Sequence, residues 1–176
     1  MLKPKRHTRL HHYLLGPPYS PQSHQERESL ESVVLQPPAR DFLASLLSDP
    51  IPRRAGLLFG QFNGSALQIH HAVPGVLDPF SPFRLDQGYA LGWADAIAGL
   101  TDLEWVGMWA VHGHRTLPDQ RGEEAFLFSA YEQGLVDNDS ILLVAGWREG
   151  RLAAEALQIA EDGIVRFAVA MMEPEP

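Results

Sequence analysis

Apolar and polar positions along the chain follow two periods, one close to two residues and one close to 3.6, and the switches between them mark the elements. Residues 31–36 alternate as a short strand, and Pro37-Pro38 then open a helix carried by Phe42, Leu43, Leu46 and Leu47. That helix stops at Ser48-Asp49-Pro50, because proline pushes the residue before it out of the α region. Two strands, 55–60 and 67–73, flank Asn63-Gly64, a strong hairpin turn signal, and so predict an antiparallel pair. After a Pro/Gly/Asp loop over 74–82, of a kind that often borders a cleft, Tyr89, Trp93, Ile97 and Leu100 place an apolar stripe on a helix over 85–100. Residues 105–111 read as a strand, 122–134 as a helix and 141–147 as a fully apolar strand. Alternating strands over 152–160 and 164–172 follow, around turns at Glu149-Gly150 and Asp162-Gly163. A hairpin early and a meander late point to an α+β domain rather than a doubly wound one.

The stretch with chemistry is Trp105-Val-Gly-Met-Trp-Ala-Val-His-Gly-His-Arg, where an apolar strand runs abruptly into a loop that opens with two histidines. Extended backbone sends residues i and i+2 to one side, so His112 and His114 can aim two imidazoles at one point, which suits a metal that finds a third ligand. The plainer alternative is a pair of loop histidines bonded to backbone. His70 and His71 point to opposite faces of their strand, and the reading for both is structural.

Composition narrows the classes. A chain of 176 residues, 45% apolar and 20% charged, is an ordinary globular domain, and the absence of cysteine leaves His, Asp and Glu as the strong metal ligands. Residues 1–28 hold five Lys/Arg against two Glu, a net of +3, so the rest of a chain of formal charge −8 carries −11. An acidic body argues against nucleic acid. The apolar run Tyr13-Leu-Leu is too short for a signal-peptide core and no stretch reaches membrane-spanning length, so the expectation is a cytoplasmic protein with no membrane contact. Residues 1–28, polar and proline-rich, are expected to be a disordered or extended tail, either solvated or a basic docking arm, and 173–176 a short acidic tail.

Three pieces of the chain, in order, resemble the JAB/MPN (JAMM) metalloprotease family. Val106-Gly-Met-Trp-Ala-Val-His-Gly-His is similar to its hydrophobic-Gly-hydrophobic-x-His-Ser-His strand, with Gly113 where Ser is usual. Pro52-Arg-Arg-Ala-Gly-Leu-Leu-Phe-Gly resembles the family's Pro-x-Glu-x-x-Gly-Leu-Leu-x-Gly strand, and Ala66-Leu-Gln-Ile-His-His-Ala-Val-Pro the strand after it. The resemblance covers about 29–172 and implies an MPN (JAB/cytidine-deaminase-like) domain there, a mixed sheet flanked by about three helices from Pro38, Leu85 and Gly122. It also implies two His and an Asp on zinc, a Glu as general base, a Ser at the oxyanion, and substrates ending in the tail of a ubiquitin-like or sulfur-carrier protein.

The chain departs from that pattern where the chemistry sits. The position of the third ligand is Ala125, that of the Ser is Gly122, and that of the base is Arg53, with Arg54 beside it. An arginine cannot act as a base, and its charge opposes a nearby cation. Asp119, Glu123 and Glu124 are near enough in sequence to substitute, although the first turn of a helix favours carboxylates without any metal.

Two functions follow from these departures. The first is a catalytically inactive domain that binds a protein partner, either a ubiquitin-like protein, another MPN subunit or a second copy of itself. The second is a divergent zinc hydrolase using His112, His114 and Asp119 or Glu123. Under the first, Arg53 is expected to face the histidines and pair with one of the loop carboxylates.

Overall fold

The computed structural model describes residues 8–16, 29–49, 54–75 and 86–173. Its centre is the hairpin at Asn63-Gly64: β2 (Ala55–Asn63) pairs antiparallel with β3 (Ala66–Pro74), and Gly64 takes a φ of 61°, which glycine adopts without strain. On its other edge β2 pairs antiparallel with β4 (Glu104–Thr116). From β4 the chain crosses through α4 (Gln120–Glu132) to β5 (Ile141–Arg148), which therefore lies parallel to it. β6 (Arg151–Ala160) and β7 (Gly163–Met171) continue as an antiparallel meander.

The remaining strand, β1 (Ser32–Leu35), runs parallel to both β3 and β7 and closes the seven strands into a barrel. This corrects the expectation of an MPN-type mixed sheet flanked by about three helices. The sheet has no free edge, and four helices are present among the described residues. Four residues are enough for β1 to satisfy two neighbouring edges at once, because closure removes the exposed donors and acceptors that an open sheet leaves.

Two cores result. One draws on all seven strands, with Val33, Leu58, Ile69, Trp109, Leu143, Ala156 and Phe167 among them, and on α2 (Pro37–Ser48) through Ala39, Leu43, Leu46 and Leu47. It is the barrel interior, with α2 packed into it and Phe42 meeting Trp109 edge-on at 5.8 Å. The second core lies outside β2 to β6 and is covered by α4, α3 (Gln87–Leu100) and α1 (Arg9–Leu15).

Of the stretch 1–28 expected to be a disordered or extended tail, residues 1–7 and 17–28 lie outside the described residues, and 8–16 hold this last helix and its caps. Thr8 caps it in a reciprocal box with His11, Leu10 is fully buried, and Arg9 stacks 5.0 Å from the centre of the Trp105 ring while bonding Asp137 at 3.0 Å. Tyr13 lies 4.9 Å from the same ring. Among the described residues no helix is long and apolar enough to cross a membrane.

Candidate functional site

The ladder between β2 and β4 ends with Ala55 opposite Ala110, and the Val111 amide donates to the Arg54 carbonyl at 2.8 Å. The residue that leads into β2 and the residues that leave the paired part of β4 are therefore neighbours in space. Beyond this point β4 parts from β5: its pairing jumps from Val111 opposite Ala145 to Thr116 opposite Trp147, so His112, Gly113, His114 and Arg115 form a wide bulge. Arg115 takes a φ of 61° to turn the chain back. Gly146 lets it rejoin, since a Cβ there would stand 2.2 Å from the Leu117 nitrogen. The histidines thus sit in a bulge within the strand rather than in a loop after it.

The bulge, Arg54, Val111 and Phe126 enclose a cleft of about 340 Å³. The imidazoles of His112 and His114 stack with centroids 5.0 Å apart and 30° between planes, and Phe126 lies 6.1 Å from His112. The His114 amide donates to His112 Nδ1 at 3.2 Å, so that nitrogen presents a lone pair and the neutral ring carries its proton on Nε2. Arg54 reaches across the glycine between them: a Cβ on residue 113 would lie 3.2 Å from its Nη2 and 3.5 Å from its Cζ. No carboxylate among the described residues pairs with this guanidinium or lines the cleft.

The carboxylates that the sequence offers as third ligand are engaged elsewhere. Asp119 is the N-cap of α4 and accepts from the Gly122 amide at 2.9 Å. Glu123, 3% exposed, is turned under the helix onto Arg166 of β7, which also bonds Glu124 at 2.9 Å and the Gln120 carbonyl at 3.2 Å. Burial pushes the Glu123 carboxyl up against the pull of Arg166, whereas the hydrogen bond from Arg166, with a second from Gln120, draws Glu124 down. Gly122 is glycine for a local reason, since a Cβ there would meet the Pro118 Cβ at 2.8 Å. Ala125 is exposed and does not line the cleft, and Arg53 falls outside the described residues, as does most of the 74–82 loop.

Two His side chains and no neighbouring third His, Asp or Glu stand together among the described residues, which is short of the protein ligand set of a structural or catalytic zinc site. The structure brings together His112, His114 and Arg54, and keeps Asp119, Glu123 and Glu124 apart from them. Sequence reasoning did not find Arg166, whose part depends on β7 passing beneath α4. Phe126, three residues after Glu123 on α4, was not among the site residues that the sequence offered.

The fold and cleft define a closed mixed barrel carrying a cationic, histidine-lined pocket at the end of its central strand. The chain matches no family profile, and no curated protein matches it in sequence. Among solved structures it is similar to the solution structure of protein DSY2949 from Desulfitobacterium hafniense. The two share 17% identity and a TM-score of 0.58 over 81% of this chain and 94% of that one. At that identity the likeness concerns the fold alone.

Proposed function

We propose that this chain is a binding domain that works without a hydrolytic centre and receives part of a protein partner, of which a ubiquitin-like protein is one kind, in the cleft beside His112 and His114. One observation carries this reading. The three acidic side chains within reach in sequence are committed to capping α4 and to Arg166, while a cation, Arg54, lies in the cleft that a zinc ion would occupy. A water held there would have no carboxylate among the described residues to take its proton, and arginine does not substitute for one.

Turnover tests the proposal. Protein prepared without a metal-affinity tag and supplied with equimolar zinc should release no fluorophore from an isopeptide-linked fluorogenic substrate above the rate without protein. Release that disappears in His114→Ala would overturn the proposal and favour the divergent zinc hydrolase, for which the side-by-side imidazoles are the supporting feature.

A further inference from the structure

We propose that the cleft is a receptor for the terminal carboxylate of a peptide chain, an inference that rests on reading it as a binding site and names the chemistry of what it binds. The donors are Arg54 and His112. The Arg54 guanidinium offers paired N–H groups in the plane that a carboxylate matches, it is exposed at the cleft, and no described carboxylate neutralises it. His112 adds a second donor, because its Nδ1 accepts from the His114 amide and so leaves the proton on Nε2. A metal would need a lone pair from this ring. An anion needs the N–H that the ring already carries.

Gly113 contributes by what it lacks. A Cβ there would stand 3.2 Å from the Arg54 Nη2 and make the guanidinium give by a few tenths of an ångström, so glycine leaves Arg54 room to lie across the bulge. The cleft also has apolar lining, from Val111 and Phe126, which suits the side chain or methylene groups next to a terminal carboxylate. A volume of about 340 Å³ is at the small end of ligand sites and fits a chain end entering head-on. Phosphate shares the oxyanion chemistry that Arg recognises. A dianion, however, meets the field of a chain of formal charge −8 more strongly than a monoanion does, and makes no use of the apolar lining.

The experiment is an amide-resolved NMR titration of the full chain with three probes: acetyl-Ala-Leu-Gly-Ala as the free acid, the same peptide as its C-terminal amide, and inorganic phosphate. The free acid should shift the Gly113 and His114 amides saturably. The amide form should bind at least about 10-fold more weakly, as loss of a charge-assisted hydrogen bond implies, and phosphate should not displace the acid. Arg54→Met should lose at least about 10-fold while keeping the wild-type unfolding midpoint, and Arg54→Lys should fall between, because an ammonium cannot make the paired contact. The proposal is overturned by equal titration of acid and amide, by displacement with phosphate, by unchanged binding in Arg54→Met, or by no shift at about 10 mM acid. Equal binding of acid and amide would spare the wider reading of the cleft as a binding site. Hydrolysis in the turnover assay would remove that reading as well.

Discussion

The indole of Trp109 passes over the bare α-carbon of Gly56 to donate to the Val73 carbonyl at 2.8 Å. A Cβ on residue 56 would stand 2.0 Å from that carbonyl oxygen and 2.6 Å from the indole nitrogen. This contact ties β2, β3 and β4 together two residues from Arg54 and three from His112, and so fixes the register that brings the cation beside the imidazoles. Gly56→Ala is therefore expected to cost about 3 kcal/mol or more by overpacking, read from urea unfolding. The Gly113 and His114 amides should move together in its NMR spectrum if the protein still folds. A variant with wild-type stability would show that the sheet absorbs the methyl group.

Arg166 holds the N-terminal turn of α4 against β7 through Glu123 and Glu124. Arg166→Met leaves Glu123 buried without a counterion, an arrangement that costs about 2 kcal/mol or more even after allowing for the partly exposed side of the pair. Because α4 carries Phe126, peptide binding should weaken with stability in this variant. Arg166→Lys should recover part of the stability. A fully stable Arg166→Met would mean that α4 is held by its apolar face alone.

Leu10 is fully buried against the outer core next to Trp105. Leu10→Ala should cost about 2–5 kcal/mol, the range for a buried leucine truncated to alanine. A dispensable tail would instead leave the unfolding midpoint unchanged.

His70 occupies the extra position of a bulge in β3, where Phe59 pairs with His71 and Gly60 with Ile69, and its Nε2 is buried without a hydrogen-bond partner. Burial, with some help from His71, holds its pKa below the ordinary value. The folded state then binds the proton less readily than the unfolded chain does. Its contribution is fully present above the unfolded value of about 6.5 and is lost as pH falls through that value toward the lower folded one. His70→Asn should flatten this acid-side fall when unfolding free energies are compared across pH 5 to 8, on the order of the window in which histidine titrates. An unchanged slope would assign the fall to other groups.

Much of the element order was legible because it is local. Asn63-Gly64 marks the β2–β3 hairpin, and the stripe from Tyr89 to Leu100 marks α3. Barrel closure was not legible. It depends on four residues of β1 pairing with β3 and β7 from distant parts of the chain, which no periodicity encodes. The α1 helix had a signal, Thr8 before Leu10, Tyr13 and Leu14 at helical spacing, but the polar and proline-rich composition around it outweighed seven residues. At the site, the spacing of His112 and His114 and the presence of an arginine followed from sequence. The meeting of Arg54 with the bulge, and the turning of Glu123 onto Arg166, are set by register and by packing between elements far apart in the chain.

The most direct test of the central claim is calorimetric titration of zinc into tag-free, chelator-treated protein at neutral pH. Two imidazoles beside a guanidinium, with no anionic ligand among the described residues, should bind zinc more weakly than about 1 µM, well short of the affinity of sites that hold the metal as part of the fold. Asp119→Ala and Glu123→Gln should leave that weak binding unchanged. One zinc per chain held more tightly than about 1 µM, and lost in His114→Ala or Glu123→Gln, would contradict the account.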